Sequence, residues 1–361
     1  MIYFTVGPSQ LHAKYGAFMQ EAINSDIGSI SHRGGQFMEL HKELGKNLKD
    51  LLGVSQNYHV FYNGCATEWM ERIVQNCSFK ETLHLVCGSF SQKFYNIARQ
   101  IGRNTVRVDV LSDSSFTLDQ LPTDISPELI CLTHNETSTG VVLPQKLISG
   151  IRQRYPDSLI AMDVVSSAPV SNVDFSQIDL IFLSVQKGMG LPAGLGVILS
   201  SPRAAKISMD IESTGQYTGS HHSFKELMAY EAKHQVPETP NVVNMFLLNE
   251  VCKDYLRKGI GVLVEQTFKK AKILYEAVKN CSELSIGVQN TDFQSPTVIV
   301  AAAKNGSAGI IRRLQEQGFC IGAGYGEKKD REIRIGNFPA HTIKQVETLS
   351  GLIKENNVWT K

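Results

Sequence analysis

No CxxC pair occurs in this sequence, and its seven cysteines are scattered and odd in number. That argues against a disulfide framework or a structural zinc site and fits packed thiols in a reducing compartment. Long apolar runs are also missing. The longest, such as TVIVAAA at 297–303, fall far short of a bilayer span. Charge of one sign is not in excess, with 36 Lys plus Arg against 35 Asp plus Glu. A general nucleic-acid binder would show a basic bias or block, so that class is disfavoured. There is no internal repeat and no low-complexity segment. The opening MIYFTVGPSQ lacks the charged and apolar regions of a secretory signal, so the expected location is the cytoplasm. It reads as a short strand stopped by Gly7-Pro8.

What is present is length and alternation. A chain of 361 residues can bury two cores. From about residue 34, helical and strand patterns alternate. Phe37, Leu40, Leu44, Leu48 and Leu51 fall at helical spacing. YHVFYN (58–63), TLHLVC (82–87), TVRVDV (105–110), ELICLT (128–133) and GLGVILS (194–200) read as strands, with helices between. This predicts an α/β fold whose large domain holds a mostly parallel, seven-stranded-type sheet wrapped by helices. After about residue 250 the texture changes to a long helix near 241–280, strands at SPTVIVAAA and EIRIGN, and helices at 307–318 and 341–355. We expect a smaller α+β C-terminal domain over 251–361, a large domain over 16–250, and an N-terminal segment, 1–15, packing with the small domain.

Two apolar runs carry the most chemistry. SLIAMD ends at Asp163, and DLIFLSVQK ends at Lys187. Ligands of open α/β sheets sit beyond the carboxyl ends of such strands, so an acid and an amine point to one pocket. Pyridoxal phosphate needs that pair: a Lys for a Schiff base and an acid facing the pyridine nitrogen. Two surface charges at strand ends are the plain alternative for either residue alone. Gly188, Gly190 and Gly194 would let a ligand approach the backbone, or simply make the turn. They do not spell GxGxxG, which disfavours a dinucleotide site.

Other segments are weaker singly. Asn63-Gly64-Cys65-Ala66-Thr67 joins a strand to a helix, a place that favours a phosphate or holds an ordinary cap. Phe90 follows a strand and could stack on a heterocycle, though most Phe residues are core. Thr137, in HNETSTG, offers a hydroxyl, or caps a turn. His32 and Arg33 stand side by side and suit an anion, or form an exposed flank. Arg334 lies within an apolar strand, where a charge requires an internal acid or a substrate carboxylate as partner. His221-His222 lacks metal-site spacing and reads as loop; no metal is expected.

Taken together, FTVGPSQL, ISHRGGQF, HNETSTGV, AMDVVSSAPVSNVDFSQIDLIFLSVQKGMGLPAGLGVI, the TP of PETPNVVN and RIGN resemble the class V aminotransferases of fold type I. The resemblance spans nearly the whole chain and is most like the phosphoserine branch. It implies the cofactor pyridoxal 5′-phosphate, amino-acid and 2-oxo-acid substrates, and a homodimer with shared sites. Lys187 would carry the Schiff base and Asp163 would pair with the ring nitrogen. Phe90 would stack on the ring, where the family usually has Trp, and Thr137 would bond its phenolic side. The Cys65-Ala66-Thr67 turn, with Gln186, would hold the phosphate, and Thr239 would reach it from the neighbouring subunit. Arg334 would bind the substrate α-carboxylate, and His32 with Arg33 the phosphate of phosphoserine.

The chain departs from the family pattern in three places. Glu238 stands where the family usually has Asn. GYGEKKDREIRIGN lacks the His-Arg pair of phosphoserine enzymes, leaving Lys328 and Lys329 as substitutes. RIGN itself is closer to the alanine–glyoxylate and serine–pyruvate branch. The alternatives are therefore transamination in that branch, a desulfurase-type lyase using Cys320, and a non-catalytic cofactor-binding module. Gln186, where desulfurases typically have His, disfavours the lyase.

Overall fold

The computed structural model describes residues 1–110 and 116–354. Two sheets organise it. The chain opens with β1 (Ile2–Phe4), α1 (Tyr15–Asn24) and α2 (Gly35–Leu52). It then builds the large sheet from β2 (His59–Asn63), β3 (Glu81–Val86), β4 (Asn104–Asp109), β5 (Leu129–Thr133), β6 (Leu159–Asp163), β7 (Leu180–Ser184) and β8 (Gly196–Ser200). Helices α3 (Ala66–Cys77), α4 (Ser89–Gln100) and α5 (Gln145–Arg154) alternate with these strands. After them come α6 (Pro202–Ser213), α7 (Phe224–Glu231), α8 (Val242–Lys258) and α9 (Ile260–Lys279). The second sheet uses β9 (Leu284–Ile286), β10 (Val298–Ala303), β11 (Phe319–Ala323) and β12 (Glu332–Gly336), with α10 (Ser307–Glu316) and α11 (Ile343–Lys354). The expected final helix reached residue 355, which lies outside the described residues.

The large sheet runs β2-β8-β7-β6-β5-β3-β4. Only β8 is antiparallel to its neighbours. β5, β6 and β7 are buried at every position. Helices cover both faces, so apolar side chains are needed on both, and the strands read as continuous apolar runs. Leu40, Leu44, Leu48 and Leu51 of α2 are buried as their spacing predicts, and the helix ends at Gly53 in the left-handed region (φ 66).

The second sheet runs β1-β11-β12-β10-β9. β1 pairs in parallel with β11, bringing the N-terminus into the sheet built from the C-terminal strands. From there residues 5–14 cross to the turn after β7, where Ser9 N–H donates to the Gln186 carbonyl and His12 N–H to that of Gly190.

Two expectations need adjusting. The strand expected to end at Lys187 stops at Ser184, so Lys187 lies in the following turn. The long helix near 241–280 is two helices, α8 and α9, divided at Gly259, whose φ of 84 no helix can continue. No helix among the described residues is long and apolar enough to cross a membrane.

Candidate active site

A cavity of about 210 Å³ opens beyond the carboxyl ends of β6 and β7. Cys65, Ala66, Thr67, Phe90, Thr137, Asp163, Gln186, Lys187 and Arg334 all line it. Positions spread over most of the sequence thus converge because each follows a strand of the large sheet, except Arg334, which comes from β12. A larger, open concavity of about 1020 Å³, bounded partly by α2 and α8, contains none of these residues.

Lys187 is buried, and its Nζ donates to Thr137 Oγ1 and to Ser166 Oγ, both at 2.7 Å. Those two hydroxyls also bond to each other. Nζ lies 5.3 Å from the centroid of the Phe90 ring. Burial disfavours the ammonium and brings the Lys187 pKa down to about 8, against the pull of Asp163 and Glu136. A Cβ on Gly7 would stand 2.7 Å from Lys187 Cε, so only glycine lets the N-terminal segment lie against the lysine stem.

Asp163 closes β6, is buried, and accepts a hydrogen bond from Val165 N–H at 2.8 Å. Burial raises its pKa to about 6, with the Val165 bond and Lys187 opposing. The site therefore holds an acid and an amine, each shifted towards its neutral form by desolvation. The charge of an incoming ionic group would reverse that penalty.

Arg334 donates from Nε to the Ala323 carbonyl at 2.7 Å and from Nη1 to the Thr137 carbonyl at 3.3 Å. No carboxylate pairs with it among the described residues. Burial lowers its pKa.

The remaining predicted residues lie elsewhere. Arg33 is spent on its own chain, donating to the carbonyls of Val236 (2.6 Å) and Pro237 (3.1 Å) and to Gln235 Oε1 (3.1 Å). His32 does not line the cavity, and Thr239 is exposed outside it. Lys328 pairs with Glu332 at 3.1 Å, and neither it nor Lys329 reaches the cavity. Glu238 turns to His222, with Oε2 3.3 Å from Nε2, while His222 Nδ1 lies 2.6 Å from Glu68 Oε1. His222, expected to be plain loop, is thus an ionic bridge from the first turn of α3 to the residue before Thr239. Cys320 sits on β11, paired with Tyr3, and does not line the cavity. Two of the glycines after Lys187 admit backbone rather than a ligand. A Cβ on Gly188 would strike the Ala168 carbonyl oxygen at 1.9 Å, and one on Gly190 would meet His12 N at 2.7 Å.

Four contributors were not anticipated. Ser166 holds Lys187. Ser184 accepts the Ala66 N–H at 2.7 Å, so that amide already has a partner. Tyr325 lines the cavity beside Arg334. Glu136, fully buried, accepts from Phe90 N–H (3.1 Å) and Ser91 N–H (3.0 Å) at the start of α4 and from Ser138 Oγ (2.6 Å). It caps the helix that carries Phe90. Serines and a tyrosine give no periodic signal; Glu136 stood inside a quoted segment, but only the fold brings it under α4.

These residues suit pyridoxal phosphate. The first turn of α3 faces the cavity with no side-chain cap from Cys65, leaving the Thr67 end of the turn for an anion. An amine, a buried acid, an aromatic ring and a hydroxyl complete the set such a group requires.

Comparison with known proteins bears on the family and the fold. The family model described as aminotransferase class-V matches residues 5–330. A phosphoserine aminotransferase from Rhodococcus opacus (strain B4) is 26% identical over 355 residues, covering 96% of this chain and 92% of that protein. The crystal structure of a phosphoserine aminotransferase from Cytophaga hutchinsonii superposes with a TM-score of 0.95 at 39% identity, covering 98% of both chains. An aspartate aminotransferase from Thermus thermophilus shares the fold, with a TM-score of 0.84 at 21% identity over 98% of each chain. The chain belongs to the class V aminotransferase family.

Proposed function

We propose that this enzyme uses pyridoxal 5′-phosphate to interconvert 3-phosphohydroxypyruvate plus L-glutamate and O-phospho-L-serine plus 2-oxoglutarate. The observation that carries the reading is Lys187 Nζ, buried between two hydroxyls in one cavity with Asp163 and Arg334. The full-length similarity to phosphoserine aminotransferases supports the substrate pair.

When bound, the cofactor supplies an electron sink for the pair left at the substrate Cα. Lys187 would be its covalent anchor, Asp163 the acid for its ring nitrogen and Phe90 the aromatic partner of its ring, while Thr137, Gln186 and the Cys65-Ala66-Thr67 turn would hold its polar groups. Freed of its anchor role, the Lys187 amine would take the Cα proton at Nζ, and the burial that lowers its pKa favours the neutral form this requires. The Thr137 and Ser166 hydroxyls aim it. Arg334 receives the substrate α-carboxylate, its two backbone contacts fixing the guanidinium while other N–H groups remain for the ligand. The two sheets are read as the cores of a large domain (16–250) and a small domain (251–361), with residues 1–15 tied to the latter. In a homodimer, Thr239 and His32 would serve the neighbouring copy's cavity, joined only by those Arg33 N–H groups that Gln235, Val236 and Pro237 leave free.

One observation favours a second reading, alanine– or serine–glyoxylate transamination. Lys187 and Arg334 are the cations lining the cavity, while Arg33 and Lys328 are engaged elsewhere, so no third cation meets a distal phosphate within one described chain. The test is turnover with 3-phosphohydroxypyruvate and L-glutamate, measured as O-phospho-L-serine formed. Formation at a catalytic rate supports the proposal; turnover only with alanine or serine and glyoxylate rejects it.

A further inference from the structure

Arg334 presents a physical problem. A half-buried guanidinium needs stabilisation, yet a carboxylate partner would compete with the substrate for its donors. The structure meets this with an aromatic face. Tyr325 lies under the guanidinium, with Arg334 Cζ 5.4 Å from the ring centroid. The same ring packs on Phe90, centroid to centroid 5.4 Å at 46°. Phe90 in turn faces Lys187 Nζ at 5.3 Å. The two cations of the cavity, which repel one another, are thus each set on one member of a single aromatic pair. The negative faces of the rings attract both without occupying an N–H.

Tyr325 is held there by the hairpin between β11 and β12. Gly324 N–H donates to the Glu332 carbonyl at 2.6 Å, and Lys328 pairs with the Glu332 carboxylate at 3.1 Å across the same loop. A Cβ on Gly324 would stand 2.2 Å from the Lys328 carbonyl oxygen, so the tight loop requires glycine there. Tyr325 itself is 40% exposed, at the cavity mouth.

We propose that Tyr325 is a positioning residue for substrate recognition: its ring holds the Arg334 guanidinium in place to receive the carboxylate of the amino donor. This rests on the aminotransferase reading above. The role belongs to the ring, not the hydroxyl.

The experiment uses the cofactor-loaded enzyme with Tyr325→Leu, Tyr325→Phe, and Arg334→Ala with and without Tyr325→Leu. Two quantities are read: KM and kcat for L-glutamate, and the dissociation constant of glutarate, which has carboxylates but no amino group to react. Tyr325→Leu should weaken glutarate and raise the L-glutamate KM together, about three- to tenfold, with kcat nearly unchanged. Tyr325→Phe should restore both values. In the Arg334→Ala background, Tyr325→Leu should add nothing. Unchanged glutarate binding in Tyr325→Leu overturns the proposal. So does an equal loss in Tyr325→Phe, or a full additional loss without Arg334. Absence of transamination in the unsubstituted enzyme would instead reject the underlying functional reading.

Discussion

Among the described residues two lysines are buried almost completely, and they do different things. Lys187 and Lys270 both have their pKa brought down to about 8 by desolvation. Lys187 bonds to two side-chain hydroxyls and opens onto a cavity with Asp163, Phe90 and Arg334. Lys270, on α9, donates to the carbonyls of Phe338 and His341, both at 2.8 Å, and lines no part of that cavity. It ties a helix to the turn that follows β12. A displaced pKa therefore marks desolvation, and only the surrounding geometry distinguishes a reactive amine from a structural one.

The sharpest way to break this comparison is to remove each amine. Lys187→Ala should cost about a thousandfold or more in turnover and abolish the absorbance of the anchored cofactor. Lys270→Met should leave kcat within about twofold while lowering unfolding stability by about 1–3 kcal/mol, because two buried carbonyls lose their donor. Comparable activity loss in the two variants would erase the distinction. Next in size is Asp163→Asn, which keeps the shape but removes the carboxylate proposed to pair with the ring nitrogen. A loss of about a hundredfold in the rate of a single half-reaction is expected, measured by stopped-flow absorbance.

The pH dependence of stability sharpens the comparison further. Each lysine binds fewer protons folded than unfolded between about pH 8 and its ordinary value of 10.5. Stability of the cofactor-free protein should therefore rise with pH across that window. Lys187→Met should remove roughly half of the contribution of these two lysines, and urea unfolding at pH 8, 9 and 10 reads it; an unchanged slope would contradict burial of Lys187 as an amine. The smallest effect concerns a group shifted the other way. Hydrogen bonds that the His222 ring donates to Glu238 and Glu68 raise its pKa to about 9. Its stabilisation is full below pH 6.5 and lost as pH rises through about 9. Partial exposure of both carboxylates keeps it below about 1 kcal/mol. His222→Gln should flatten that limb of the curve.

Much of this was legible in the sequence for physical reasons. Strands buried on both faces must be apolar throughout, so β5, β6 and β7 announce themselves, and Asp163 stands out as the charge at the end of one. That Lys187 faces a pocket with Asp163 is legible in the sequence, but the strand end is not, because Val185 continues the apolar run past the point where Ser184 ends pairing. The Gly259 break was hidden by good helical spacing on both sides. Tyr325, Glu136, Ser166 and Ser184 act through long-range contacts, which local periodicity does not encode. Arg33 showed the converse: a cation beside a helix start looked free for an anion, while the fold had already supplied three acceptors. Glu238, an acid where the family usually has Asn, is paired by the fold with His222.

This cavity is proposed to transfer an amino group between L-glutamate and a phosphorylated oxo acid. The most direct measurement is the cofactor absorbance of the purified enzyme mixed separately with L-glutamate, O-phospho-L-serine, L-alanine and L-serine. Conversion to the pyridoxamine form with L-glutamate and O-phospho-L-serine, but not with L-alanine or L-serine, is the predicted result. Conversion with L-alanine or L-serine and none with O-phospho-L-serine would contradict it and move the enzyme to the glyoxylate branch.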